Sequence, residues 1–496
     1  MRLEIHCGGD DGGILSFRIN RQVVKEISMS KNENKKKSNG GNLNPFMVLA
    51  IMVVACTIIS YFVTPGAYDR ETVNGVTRVV ADSYHSVERT PVSFFEMFLT
   101  IPNGLTATAS MMFAVMIIGG VVEIYSKTGV IGAGINSVLR LSNKVSSQMI
   151  IGIVMAAFCF IGGILGWSEH IIPFVPIVIS LALSLGYDSL VGMAISGFAC
   201  LIAFAVAPFN PFTVGTAHTI AELPMYSGWQ LRMVALVVVC GLSIFWVLRY
   251  AKKVKEDPGK SLVTDIDVSS LKIDIDINEK LDTAKLICWG ILVVAFGFTI
   301  YGMLNLGWSY PEMSAIFLIA GILAAIVNKV GTNNTINMIL DGMRGAMSGA
   351  LIIGVARAVQ LTMTNGGLID PLVHSVSGLL NGLSTYVTAV GMFIINFFVN
   401  ALIPSGSGQA TAIMPIMIPL ADMLGLTRQT AVLAFQFGDG ISNTFWFTNG
   451  TLLIYLGLAK VPLKRWYKFI LPLHGIFVIV QLAFLFLACQ IGYGPM

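Results

Sequence analysis

The chain has 496 residues, of which 55% are hydrophobic and only 12% charged, with a mean hydropathy of +0.76. A soluble protein carries about twice that share of charge, so a water-soluble enzyme or a nucleic-acid binder is excluded and an all-α polytopic membrane protein is expected. The net charge of +4 matters only through its placement, and the seven cysteines, none in a CxxC and most inside apolar runs, read as packing residues rather than a disulfide or metal framework.

Residues 1–44 are polar and lack the apolar core of a signal peptide; they are expected to form a disordered cytoplasmic N-terminus. "MSKNENKKKSNGGNLNP" from Met29 reads as a natural beginning, which makes Met1–Ser28 an upstream extension. Lys35, Lys36 and Lys37 precede the first apolar run and place it inside-to-outside. A first unit, 45–250, then follows. Span 46–64 leads out to a lysine-free loop, 65–92. A short amphipathic piece at 93–105 precedes span 107–127, which returns. A hairpin over 148–186, interrupted at "GWSEH", enters from the cytoplasm. Span 190–222, broken at "APFNPFTVG", leads out, and 230–250 leads in.

A hydrophilic cytoplasmic linker, 251–285, and one linking span, 286–311, separate this from a second unit, 312–490. Spans 312–328 and 346–364 come first. A second hairpin over 384–424, interrupted at "IPSGSGQ", enters from outside. Span 428–458, broken at "NTFWFTNG", leads in, and 468–489 leaves the C-terminus outside. The reading totals about nine crossings and two re-entrant hairpins, with every lysine-rich loop on one side.

The two units repeat. "PIVISLALSLGYDSLVGMAISGF" at 176–198 aligns with "PIMIPLADMLGLTRQTAVLAFQF" at 415–437, and the same offset pairs Ser168 with Ser407 and Asn210 with Asn449. At one residue less, "TGVI" at 128–131 matches "GGLI" at 366–369. The single linking span inverts the second unit, and inverted repeats with interrupted helices are a secondary-transporter pattern.

Interrupted helices at membrane depth leave backbone groups that lipid cannot satisfy, so such breaks are kept where they are buried in protein or line a watery site. Four breaks at paired positions therefore mark a substrate cradle. Ser168 and Ser407 are expected to cap the helices after the two tips, whose N-termini suit a carboxylate. The expected substrate-binding residues are Ser168, Glu169, Asn210, Thr213, Ser405, Gly406, Ser407, Gly408, Asn449 and Arg357. Glu169, on the first tip, would meet a cationic substrate head or a coupling cation, or pair with Arg357, which would otherwise anchor a substrate carboxylate. Asp439, between two glycines, is expected to bind a coupling cation together with Asn443 and Asn210, with Na⁺ favoured over H⁺. Ionisable residues at this depth are functional by default. Glu123 is read as a partner of Lys127 one turn away, and Asp188 and Asp422 as interfacial. The balance of charges points to a substrate with both a carboxylate and an amine, an amino acid with a cationic one preferred; a C4-dicarboxylate is the alternative.

"IPSGSGQATAIMPIMIPLADMLGLTRQTAVLAFQFGDGISN", together with "GYDSLVG", "NPFTVG" and "NGGLID", resembles the YfcC-type proteins, which are grouped with the anaerobic C4-dicarboxylate carriers of the ion transporter superfamily. The resemblance covers most of 45–490. It implies a bacterial inner-membrane carrier of elevator type, dimeric through its scaffold, with no cofactor beyond Na⁺ or H⁺ coupling or exchange. The family holds proteins described as dicarboxylate carriers and as basic amino acid antiporters, so it leaves the substrate open. Two departures touch the site. The family pattern often has two acidic residues at the first tip, where this chain has Glu169–His170, and a Pro–Thr–Ser–Gly run at the second break, where it has "WFTNG". An enzyme is disfavoured: "SGSG" has a serine in the first glycine position of the intramembrane serine-protease motif, and HExxH, paired catalytic aspartates and phosphate-binding loops are missing from the sequence. A channel fits paired, blocked hairpins less well than alternating access does.

The inverted reading makes opposite faces of the membrane reach the two tips. Single cysteines placed at Ser168 and Ser407 should be labelled by a membrane-impermeant thiol reagent from the cytoplasm and from outside, respectively. Labelling of both from one side refutes the inversion.

Overall fold

Each apolar run is helical in the computed structural model. The structure describes residues 45–73, 76–80, 83–142, 144–271, 281–378 and 382–494; the N-terminal segment read above as disordered lies outside them, as does part of the cytoplasmic linker. After α1 (Pro45–Ser60), two antiparallel ribbons pair β1 (Gly66–Ala67) with β4 (His85–Ser86) and β2 (Arg70–Val73) with β3 (Val76–Val79). The expected amphipathic piece is α2 (Phe94–Ala107), opened by a reciprocal cap. The Ser93 hydroxyl accepts from the Glu96 amide at 3.2 Å and the Glu96 carboxylate accepts from the Ser93 amide at 2.8 Å, as S-x-x-E predicts.

The chain continues through α3 (Ala109–Lys127), α4 (Val130–Leu141) and the first hairpin, α5 (Ser147–Leu165) and α6 (Val175–Ser184). The first broken span follows as α7 (Ser189–Met193), a π-helical turn, α8 (Ala199–Phe204), the break, a second π turn over Pro211–Gly215 and α9 (Thr216–Ile220). Then come α10 (Trp229–Glu256), α11 (Thr283–Asn305), α12 (Tyr310–Val327), α13 (Thr332–Asn365) and α14 (Ile369–Gly378). The second hairpin is α15 (Thr385–Asn400) and α16 (Gly406–Met423), the second broken span is α17 (Arg428–Ser442) and α18 (Gly450–Leu458), and α19 (Leu463–Gln490) is last.

Among the described residues seven helices, α3, α5, α10, α11, α12, α13 and α19, are individually long and apolar enough to cross a membrane. The other expected crossings are made of shorter helices or of two pieces. Hydropathy also misses two kinds of element. Span 346–364 is only the apolar end of the 34-residue α13, whose polar first turns carry it to about 51 Å, beyond the hydrocarbon. The matched "TGVI" and "GGLI" open α4 and α14, amphipathic helices of 12 and 10 residues, too short to register as spans. Each follows a left-handed glycine, Gly129 at φ 74° and Gly367 at φ 60°, a conformation that side-chain-bearing residues adopt at a cost.

Two groups of helices pack within themselves. In one, α1, α2, α3, α11 and α12 gather with α13. In the other, α5 to α10 pack with α15 to α19. They meet where α13 faces α18 and where α3 faces the first tip. The seam of α2 and α3 against α13 is made of glycine. A Cβ on Gly342 would overlap the carbonyl oxygen of Gly119, and one on Gly104 would overlap that of Gly354, so the backbones touch as small residues permit in membranes. Glu123 and Lys127 pair at 3.7 Å, as read.

Gly342→Val should therefore force this seam apart, at the roughly 1–3 kcal/mol that overpacking costs, and lower the Tm of the purified protein by several degrees. Gly345→Ala, on the same helix but facing open space, should leave Tm unchanged or raise it. Equal Tm values for the two variants would show that the seam does not hold these helices.

Candidate functional site

Both hairpins turn at their expected tips, but the caps differ from expectation. Ser168 makes no cap; its hydroxyl donates to Glu169 Oε2 at 2.6 Å, a charge-assisted bond. At the second tip the cap is Ser405, whose Oγ accepts from the Gly408 amide at 3.3 Å; Ser407 sits inside the first turn of α16. The asparagines of the broken spans, read as substrate-binding residues, are N-caps. Asn210 Oδ1 accepts from the amides of Phe212 and Thr213 at 2.9 and 3.2 Å, and Asn449 Oδ1 from the Leu452 amide at 2.9 Å. A half-helix starting within the protein needs this satisfaction more than a ligand does.

Each tip docks on the opposite broken span. Tyr455 of α18 donates its hydroxyl to the Ser168 carbonyl, and Thr451 donates to Glu169 Oε1 at 3.3 Å. At the second tip Gly406 lies so close to Thr213 that a Cβ there would overlap the threonine methyl.

The four discontinuities surround one cavity of about 430 Å³. The first tip contributes Ser168 and Glu169, the second Pro404 to Ser407, and the second break Asn443, Asn449 and Thr451. Phe204 and Phe212 close it from the first break. The remaining wall comes from the other helical group: Thr108, Ser110, Tyr310, Arg357 and Gln360. Of the expected substrate residues, Ser168, Glu169, Ser405, Gly406, Ser407, Asn449 and Arg357 line it, as does Asn443, which accepts from Asn449 Nδ2 at 2.7 Å. Asn210, Thr213 and Gly408 do not line it, nor does Asp439; Thr213 and Asp439 lie against Gly406 of the second tip, and Asn210 against Gly166 of the first. Glu169 and Arg357 share the cavity without an ion pair among the described residues, and the Arg357 guanidinium donates to Gln360 on its own helix.

Asp439 sits in a second, buried polar cluster. Its Oδ1 accepts from Asn400 Nδ2 at 2.7 Å. Its Oδ2, together with Asn400 Oδ1 and Thr213 Oγ1, has no hydrogen-bond partner among the described residues. Gly406 lies between Thr213 and Asp439: a Cβ there would overlap the threonine methyl and lie 3.5 Å from Asp439 Oδ2. All three oxygens are on buried residues and are of the kind a hard cation takes as ligands. Asn210 caps its helix beside them, and Asn443 belongs to the cavity rather than to this cluster. Asn400, absent from the expected set, was detectable only as a polar residue at the end of an apolar helix. Tyr310 and Gln360 were beyond sequence reasoning, because nothing local marks them as cavity wall. His170 stacks between Trp167 and Tyr310, at centroid distances of 5.2 and 4.9 Å.

A profile of the C4-dicarboxylate anaerobic carriers, DcuC, matches residues 44–490. The "Putative basic amino acid antiporter YfcC" of Escherichia coli is 30% identical over 402 residues, covering 78% of this chain and 79% of that one. An uncharacterised protein of Haemophilus influenzae is 26% identical over 407 residues, covering 81% and 79%. Among solved structures, the YdaH transporter of Alcanivorax borkumensis aligns at 15% identity over 91% of this chain and 100% of that one, with a TM-score of 0.44. MtrF of Neisseria gonorrhoeae aligns at 17% over 90% and 95%, with a TM-score of 0.43. Both scores fall below the level that establishes a common fold. The profile match spans both hairpins, both broken spans and the cavity between them, and on that match the chain belongs to the DcuC family of C4-dicarboxylate anaerobic carriers.

Proposed function

We propose that this membrane protein is a secondary carrier of an amino acid, cationic ones preferred, working by ion coupling or exchange in a bacterial inner membrane with its N-terminus in the cytoplasm and its C-terminus outside. The observation that carries the reading is that Glu169 and Arg357 face one cavity of about 430 Å³ without neutralising each other. A carboxylate on the substrate would sit toward Arg357 and the capped start of α16, and an amine toward Glu169. A second carboxylate near Glu169 would instead be repelled by about 4 kcal/mol at 4 Å in a partly polar site. The name of the Escherichia coli relative agrees with this choice. The family description favours the second reading, a C4-dicarboxylate, for which Arg357 and the α16 N-terminus would serve as the two anchors.

Alternating access by an elevator motion of inverted repeats is part of the same proposal. Its support is structural pairing: Asn210 and Asn449 both cap, both tips dock across, and α4 and α14 each follow a left-handed glycine that would serve as a hinge. The α1–α3 and α11–α13 group would be the scaffold, through which two copies would associate. The second helical group, with both tips, would move.

Uptake of L-arginine, L-lysine and succinate into proteoliposomes, with and without Na⁺, decides between the readings. Arginine and lysine should be taken up, and Glu169→Gln should lower their uptake at least tenfold. Transport of succinate with no transport of either amino acid would overturn the amino-acid reading and leave the dicarboxylate one.

The buried oxygens of Asp439, Asn400 and Thr213 are proposed to hold the coupling cation, Na⁺ rather than H⁺. Asp439→Asn keeps the shape and the Asn400 contact but removes the charge, so Na⁺ stimulation of uptake should vanish while the protein elutes as a single species. Unchanged Na⁺ dependence in that variant excludes the assignment.

A further inference from the structure

The cavity has two kinds of wall, and this division, taken with the carrier reading above, gives Arg357 a specific role. We infer that Arg357 binds the substrate's carboxylate in the present state only, and that the substrate leaves it behind when the hairpins move; Arg357 thus sets affinity on one face of the membrane alone. Three observations lead there.

Arg357 is on α13, which is fixed to α2 and α3 through the glycine seam where backbones touch. Its guanidinium bonds to Gln360 on the same helix and makes no hydrogen bond or ion pair with either hairpin among the described residues. Glu169 and Ser168, by contrast, are bonded to Thr451 and Tyr455 of α18, so the first tip and the second broken span form one body. Between the two bodies the contact of α13 with α18 is smooth. Gly349 faces Ile454 and Gly450 faces Ala356, with no hydrogen bond across this seam among the described residues. Such a surface slides without leaving polar groups unpaired. A substrate held by Glu169 and the capped start of α16 would travel with them past a stationary arginine.

A contact made in one of two states favours that state when substrate is bound. Removing it must weaken binding at that face and, by the same factor, release the loaded carrier from the state it held. A side chain that moved with the site would weaken both faces alike.

The test measures KM for L-arginine and for succinate with the full chain in right-side-out and in inside-out vesicles. For whichever probe is carried, Arg357→Gln should raise KM about tenfold on one face and less than twofold on the other, and Arg357→Lys should restore part of the loss. The motion itself is tested by the pair Gly349→Cys with Ile454→Cys. A Cβ at 349 would lie 3.2 Å from a γ atom of residue 454, which is within reach of a disulfide. Oxidation should stop uptake, and reduction should restore it. Equal KM changes at both faces, a change at neither, or full transport by the cross-linked protein each overturn the inference while leaving the carrier assignment standing. If wild-type protein carries neither probe, the proposed function fails and the inference falls with it.

Discussion

The structure depends on satisfying backbone groups where helices stop inside the membrane. An unsatisfied buried donor or acceptor costs about 1–3 kcal/mol, and lipid offers it no partner. Four interruptions would be ruinous without dedicated partners, and the chain supplies them from local caps and from side chains distant in sequence. On the N-terminal side, Asn210, Ser405 and Asn449 cap the half-helices. On the C-terminal side, Gln436 donates to the Ala207 carbonyl at 2.8 Å, Trp466 to that of Thr444 at 2.9 Å and Tyr467 to that of Phe445 at 2.8 Å. The fully buried Arg232 orients Gln436 from behind, donating to its Oε1 at 2.8 Å while bonding Gln429 and Tyr493.

The same constraint shapes the site. The polar side chains of residues that line the cavity include Glu169, Arg357, Ser407 and Gln360. Among the buried oxygens left without partners, those of Asp439, Asn400 and Thr213 belong to residues outside the cavity lining. The proposed substrate and cation places are thus adjacent but separate, with Gly406 between the cavity and Asp439. A side chain at that position would fill the gap, so the second tip links the two: whatever shifts the tip changes both.

Packing follows a parallel division. Close contact of α13 with α2 and α3 uses glycine to bring backbones together, which makes for a rigid body. The contact of α13 with α18 is made of small and aliphatic side chains. Hydrogen bonds that cross between repeats, such as those of Tyr455 and Thr451, stay inside the second body. Rigidity is therefore placed within each group, and the weak seam runs through the cavity.

Much of this was legible in the sequence. Apolar length marked the long helices, and Pro, Gly, Ser and Asn clusters marked all four interruptions, because hydropathy and helix-breaking chemistry are local properties. The repeat, and with it the pairing of Asn210 with Asn449, was visible as a constant offset. Ser168, Glu169, Ser405, Gly406, Ser407, Asn449 and Arg357 were named from the sequence and do share the cavity. What only the tertiary structure decided is which polar atoms are already spoken for. The sequence marks Asn210 as polar and deep, but whether its oxygen faces a helix start or a ligand depends on the path of the next turn. Ser407 and Ser405 are the same residue type, and the extended backbone at Ser405 makes it the cap. Tyr310 becomes cavity wall only because it stacks on His170 of the first tip, and Gln360 only because α13 packs beside Gly408 of the second, contacts that no local pattern encodes.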